Sequence, residues 1–395
     1  MSDSARLIFA RGLRGLADGA LVILVSRWLV DAGRAGELGT LTFAALLGSA
    51  LATLAAGLVA HRLAARSLLV ASCALLALTG VGMAFAPSPL WLLAIVFVGT
   101  FNPGDSDLSL FLPIEQALLA ETGDAEGRAS RFAYYNVAGA LGMMLGSQAA
   151  GLLAQAGAGA HGDAQLALIA YAACGALLAA LYAPLRVGRA RAGERTPAQP
   201  LRESRGVVLK LSALFTLDSF GGGFSVRTLV IAWLIARHDA SVAQVALAMS
   251  VASGLSAASQ LAAPLVARRI GLIRTMVYTH IPANCFMIAL GFMPTLPLAI
   301  ACLWLRASLS QMDVPARQAY VMSVVPEGER AAAASVTNVP RAFGGAPSAL
   351  IAGPMLAAGA FQWALATGGV LKIAYDLLLL AGFGHRPAPH ETRDA

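Results

Sequence analysis

The sequence predicts an all-α integral membrane protein with twelve transmembrane helices in two repeated halves. Three observations lead there: composition, the recurrence of apolar blocks, and an internal repeat across a polar linker. Of 395 residues, 58% are hydrophobic and 12% charged, with a mean hydropathy of +0.71. A soluble domain has about a quarter of its residues charged. Apolar blocks of about 20 residues, the length that crosses a bilayer as a helix, recur along the chain. They fall at 7–30, 38–60, 67–87, 89–119, 131–155, 164–185, 207–236, 240–265, 272–291, 295–323, 331–358 and 360–383.

The first block holds Asp18 and Arg27 and is followed by eleven more, which argues against a cleaved leader. Polar connections carry most of the cations. Arg6, Arg62, Arg128, Arg202, Arg268 and Arg330 fall on one side of the twelve-span arrangement, and Arg34 and Arg237 on the other. This positive-inside bias places both termini in the cytoplasm and accounts for the net charge of +7 without a nucleic-acid partner. The four cysteines, Cys73, Cys174, Cys285 and Cys302, lie within spans and lack metal-ligand spacing. With no GxxxxGKS/T loop, HExxH or GxSxG, nothing supports ATP-driven or hydrolytic chemistry. No enzyme, cofactor or metal site is expected.

The polar stretch 186–205 divides the chain into an N-terminal half (1–185), a linker (186–206) and a C-terminal half (207–395). The halves repeat. Without a gap, Pro113, Gln116, Ala117, Arg128, Ala129, Asn136, Val137 and Gly142 meet Pro315, Gln318, Ala319, Arg330, Ala331, Asn338, Val339 and Gly344. Asp18 and Arg27 in span one likewise correspond to Asp218 and Arg227 in span seven.

A loop repeats too: GLVAHRLAAR (57–66) after span two and PLVARRIGLIR (264–274) after span eight. Both resemble the Gly-x-x-x-Asp-Arg-x-Gly-Arg-Lys loop signature of the major facilitator superfamily. Gly57, Arg62 and Arg66 fit in the first copy, with His61 in place of the acid. Arg269 and Gly271 fit in the second, where Arg268 replaces the acid. The resemblance spans the chain. It implies two pseudo-symmetric six-helix bundles around a cavity that opens alternately to each side, and loops that act as a cytoplasmic gate together with Glu115 and Arg317. Within the superfamily the drug-efflux branch, made of proton antiporters, is the nearest analogue. Its Gly-Pro signature in span five is absent: Gly139, Gly142, Gly146 and Gly151 look like close-packing glycines instead, and Gly353-Pro354 in span eleven is a loose analogue.

The least expected stretch is TFNPGDSDLSLFLPIEQALLAE, 100–121. On a helix starting at Pro89, Asp105 lies about 24 Å into the membrane at about 1.5 Å per residue. An acid there is costly and should face the bundle interior. Asn102, Asp105, Ser109 and Gln116 share one helical face and would line a polar cavity, with Asp107 turned away. The alternative is that span four ends early and Asp105 to Asp107 cap a second helix. In span ten, Arg306, Ser310, Asp313 and Arg317 share a face. The repeat aligns Arg306 with Gly104 and Arg317 with Glu115, suggesting cross-cavity pairs Asp105–Arg306 and Glu115–Arg317. Local pairs are expected for Arg14 with Asp18 and for Lys372 with Asp376, both at i, i+4. Asp218 has no such neighbour, and the SFGGGF after it invites close helix approach. Arg27 and Arg227 would snorkel to the membrane surface, and His280 would make a helix-to-helix hydrogen bond.

The function these features imply is secondary active transport of a small solute, as proton-coupled efflux from a bacterial-type inner membrane by a monomer in the lipid bilayer. Uptake or export of a metabolite or chelated ion on the same fold, and a non-transporting scaffold or sensor, are the alternatives. The coupling residues would be Asp105, Asp218, Asp18, Asp107, Arg306 and Asp313.

Overall fold

The structure, a computed structural model, describes residues 1–59, 64–104, 109–122, 128–187, 201–326 and 329–384. Within them the chain forms fifteen α-helices and no strand. Twelve spans account for all fifteen, because spans four, seven and ten are each broken in two. Helices are the expected answer, since in lipid every backbone N–H and C=O must find its partner inside the protein. Among the described residues seven segments are long and apolar enough to cross a membrane by length and composition, counting the two halves of span seven as one. The chain groups into two compact units: Met1–Arg195 with Val226–Ser253, and Thr196–Ser225 with Gly254–Ala395.

The first unit contains α1 (Asp3–Asp31), α2 (Glu37–Val59), α3 (Ala65–Ala84), α4 (Pro89–Val98), α5 (Phe111–Ala120), α6 (Arg128–Gln155) and α7 (Gly159–Tyr182). Ser2 caps α1 by accepting from the Ala5 N–H. Lipid tails offer helices no hydrophobic reward for associating, so close backbone contact between small residues must supply it. The α1–α6 seam shows how. A Cβ on Gly142 would strike the carbonyl of Gly12, and one on Gly146 the carbonyl of Leu16. Gly80 and Gly175 bring α3 and α7 together in the same way.

The second unit repeats the plan with α8 (Arg205–Gly223), α11 (Leu272–Phe292), α12 (Leu296–Ser310), α13 (Asp313–Ser323), α14 (Arg330–Ala357) and α15 (Phe361–Phe383). Gly223 in the glycine triplet meets the Gly345 carbonyl of α14, and Gly221 meets α15 at Gly368. In α14, Pro340 has no N–H for the carbonyl of Val336, four residues earlier. The Ser212 hydroxyl of α8 donates to that carbonyl at 2.7 Å. The connecting helices are α9 (Arg227–His238) and α10 (Val242–Ile270); α9 and the first turns of α10 group with the first unit.

Span four departs from the expected continuous helix 89–119. It stops at Val98 and resumes at Phe111. Pro103 explains the position, because its ring clashes with a helical carbonyl at Gly99, four residues back. Asn102 and Ser109 are therefore not on a helix, and the common helical face expected for Asn102, Asp105, Ser109 and Gln116 does not form; Gln116 stands on α5. Asp105 and Asp107 lie outside the described residues, as do His61 and Arg62. Span ten also breaks, after Ser310, so Arg306 and Ser310 stand on α12 and Asp313 and Arg317 on α13.

Just before α8, Glu329 accepts from the N–H groups of Arg202, Glu203 and Ser204 at 2.9, 3.0 and 3.1 Å and from the Ser204 hydroxyl. At the other end of the linker, Asp3 accepts from the N–H groups of Arg186 and Val187 at 2.8 and 2.9 Å. The Ser204 hydroxyl, and then the three N–H groups, hold the Glu329 carboxyl down to about 2. A depressed carboxylate stabilises the fold above its ordinary range and loses that effect as pH falls toward the depressed value. Glu329→Gln is therefore expected to lower the melting temperature by the same amount at pH 7 and pH 5. The gap to wild type should close only as pH falls below about 4, the ordinary glutamate range. Thermal unfolding across pH checks this.

Candidate functional site

In the first unit the buried charges converge from four helices. Arg14 on α1 donates both guanidinium amines to Glu115 on α5, at 3.0 and 2.6 Å, and both residues are almost completely buried. Tyr135 on α6 donates to Glu115 at 2.6 Å, and Tyr182 on α7 donates to its other oxygen. The Arg14 guanidinium also stacks 4.5 Å from the Phe111 ring centre. A buried carboxylate is tolerable only when its lone pairs are filled, and Glu115 has two cationic and two phenolic donors. The expected Arg14–Asp18 local pair is thus replaced by an interhelical one.

Asp18, one turn further along α1, lines a small cleft instead. Arg14, Ser49, Thr100, Asn102, Ser109 and Tyr171 line it with Asp18. The broken part of span four supplies much of this wall, and its backbone is satisfied piece by piece. The Thr100 N–H reaches the Thr79 hydroxyl at 3.1 Å, and the Tyr171 hydroxyl donates to the Thr100 carbonyl at 3.0 Å. The Gly104 N–H turns back onto Asn102 Oδ1 at 3.3 Å. Irregular backbone at membrane depth is tolerated where it lines a cavity, and this segment does so. Three of the residues assigned from sequence, Asp18, Asn102 and Ser109, meet in this cleft.

The same segment receives α9. At the first turn of α9 the Thr228 N–H donates to the Pro103 carbonyl at 3.1 Å. The Thr228 hydroxyl lies 3.1 Å from that of Thr42 on α2, and its carbonyl accepts from Ser26 of α1 at 3.3 Å. Arg227 is buried rather than snorkelling. Its amines donate to Ser253 and Ser147, each at 3.0 Å. Arg27 bonds Asp163 at 2.9 Å and Asp31 at 3.4 Å. Sequence reasoning missed this bracket; the polar residues Ser26, Thr42 and Thr228 in apolar spans were its only trace.

The second unit has its own buried network, with the signs arranged differently. Asp218 on α8 bonds Lys372 of α15, and Arg317 of α13 approaches it to 3.6 Å. Arg317 also holds Asp313 at 2.9 Å, the i, i+4 pair within α13. His280 on α11 places Nδ1 2.9 Å from Asp376 of α15, and Asn284 donates to the same carboxylate at 3.3 Å. His280 Nε2 stands 3.9 Å from Asp218 and so bridges the two acids. Lys372 and Asp376 do not pair locally as expected: each has its partner on another helix. The helix-to-helix hydrogen bond expected of His280 is present.

The remaining assigned residues are dispersed. Arg306 reaches Ser225 at 3.4 Å, and Ser310 ends α12 half-buried. Gly57 lies in α2 and Arg66 in the first turn of α3. Arg269 is exposed in the last turn of α10. Gly271 joins α10 to α11 at φ +88°, a conformation that favours glycine and explains its place in the loop.

Comparison with known proteins points the same way. The family model of the Major Facilitator Superfamily matches residues 7–349. An uncharacterized membrane protein of Saccharomyces cerevisiae is 24% identical over 362 residues, 80% of each chain. Among solved structures, the nucleoside transporter NupG is similar with a TM-score of 0.75 at 14% identity, over 98% of this chain and 100% of that one. A D-xylose-proton symporter is similar with a TM-score of 0.75 at 14% identity, over 98% of each chain.

Thr228→Val keeps the backbone contact to Pro103 and deletes the hydroxyl contact to Thr42. It is expected to cost about 1 kcal/mol, the net worth of a neutral hydrogen bond. Arg227→Ala should cost more, because it leaves buried hydroxyls on two helices without their donor. Chemical denaturation of the two variants measures the difference.

Proposed function

The chain belongs to the Major Facilitator Superfamily, whose members are membrane transporters and not enzymes, and we propose that it moves a small solute by alternating access, coupled to protons, in the direction of efflux. The observation that carries this reading is the buried network of Asp218, His280, Asp376, Lys372 and Arg317. Three of these groups gain or lose a proton in ordinary chemistry, and their contacts tie α8, α11, α13 and α15 together. A proton delivered to Asp218 would release Lys372, which stands one helical turn from Asp376 on α15. A proton on Asp376 would free His280 to turn to Asp218. Either event redistributes contacts among four helices, which is how a proton can bias a two-state equilibrium.

In this proposal Asp18, with Asn102 and Ser109, forms part of the solute path, and Asp105 remains a candidate coupling acid. Asp107, Arg306 and Asp313 are secondary candidates. The loops at Gly57–Arg66 and Arg269–Gly271, together with Glu115 and Arg317, would gate the cytoplasmic mouth. We place the termini in the cytoplasm and the protein in a bacterial-type inner membrane, as a monomer of two bundles, 1–185 and 207–395. A second reading is uptake or export of a polar metabolite. It is favoured by the nucleoside transporter and the D-xylose-proton symporter among the structural relatives.

The test is transport in proteoliposomes, with candidate solutes screened first by thermal shift, since a ligand of the folded state raises its melting temperature. Asp376→Asn is expected to reduce proton-driven accumulation at least about tenfold, the effect of about 1.4 kcal/mol of lost coupling. Solute exchange without a proton gradient should survive. Asp105→Asn enters the same assay. Wild-type accumulation by Asp376→Asn would remove the network from the coupling mechanism.

A further inference from the structure

We propose that the end of the second unit where α8 and α11 begin and α10 stops is a docking surface for the headgroups of anionic phospholipids. Six cations gather there. Arg202 and Arg205 stand at the start of α8 and Lys210 in its second turn; Arg268 and Arg269 occupy the last turn of α10, and Arg274 the first turn of α11. These helix ends border one buried cluster of the unit. Val208 and Leu211 of α8 share one buried apolar cluster with Leu272 and Ile273 of α11, and only Gly271 separates α11 from α10.

All six side chains are exposed. Among the described residues none of them takes part in a salt bridge. Among the described residues two acids lie close by. Glu203 is exposed, and Glu329 is engaged by the N–H groups of Arg202 to Ser204. Among the described residues the surface therefore carries a net positive charge without an ion-pair partner.

Helix energetics explain only part of it. Arg268 and Arg269 at the C-terminus of α10 are favoured by the helix dipole, whereas Arg205 and Arg274 in first turns are disfavoured by it. Cations placed against the dipole and toward solvent call for an external counter-charge. At Arg268 the chain also has a cation where the superfamily loop signature has an acid, so the loop lacks its internal counter-charge. The depth selects the partner. Val242–Ile270 is long and apolar enough to cross a membrane, so cations in its last turn stand at the level of lipid phosphates. The planar guanidinium fork suits a phosphate oxygen pair.

The experiment uses the full chain in nanodiscs of phosphatidylcholine mixed with phosphatidylglycerol, washed and analysed for retained lipid by mass spectrometry. Wild type is expected to retain phosphatidylglycerol in excess, and added salt should weaken the excess. The triple variant Arg268→Gln, Arg269→Gln, Arg274→Gln should lose about tenfold or more of that enrichment. The triple Arg→Lys variant, which keeps the charge, should retain most of it and controls for folding. Equal enrichment in the Gln triple would overturn the proposal. So would inorganic phosphate in pure phosphatidylcholine discs raising the melting temperature as much as phosphatidylglycerol does, since the site would then take phosphate and not lipid. Neither readout depends on transport, so the proposal and the transport reading fail separately.

Discussion

A charge inside an apolar slab must find a counter-charge or hydrogen-bonding groups within the protein, and most of this architecture follows from that constraint. The first unit meets it with Arg14 and Glu115, sealed by two tyrosine hydroxyls. The second meets it with Asp218 between Lys372 and Arg317, and Asp376 against His280. The repeat is visible in three of the four spans each network uses, one, four and six in one half and seven, ten and twelve in the other; the fourth differs, being span five with Tyr135 in the first and span nine with His280 in the second. The signs are not repeated. Span one offers a cation to an acid on span four, while span seven offers an acid to a cation on span ten. Glu115 and Arg317 stand at equivalent positions of the repeat with opposite signs, whereas Arg14 aligns with Leu214, so the span-one and span-seven charges of the two networks do not correspond.

The same accounting governs the backbone. Among the described residues, freed backbone groups are met by side chains or backbone nearby, on a neighbouring helix or in the stretch itself. Thr79, Tyr171 and Asn102 serve the break in span four, and Ser212 serves the carbonyl that Pro340 frees. The Pro103 carbonyl is met by the N–H of Thr228 at the start of α9, which belongs to the same compact unit although α8, the other half of its span, does not.

Much of the fold was legible because it depends on local features. Apolar blocks gave the spans, and Gly142, Gly146 and the glycine triplet gave close helix seams. Pro103 signalled the break in span four, though it acts on Gly99, so the helix ends earlier and the expected polar face does not form. Charge partners were not legible from spacing. Asp313 and Arg317 pair at i, i+4 within α13, although the repeat set Arg317 against Glu115. Arg14 and Asp18, and Lys372 and Asp376, have the same spacing and do not. In the interior the choice among partners depends on which neighbouring helix brings an opposite charge in good geometry, and sequence spacing contains no information on that. Asp18 was therefore expected to be neutralised, and it lines a cleft instead.

The central claim is that buried pairs within each unit are obligate partners. A double-mutant cycle on Arg14→Met and Glu115→Met tests it. Each single change should cost about 3–5 kcal/mol, because it leaves one buried charge unpaired. The double variant should be markedly more stable than either single, giving a large coupling energy. Losses that simply add would contradict the account.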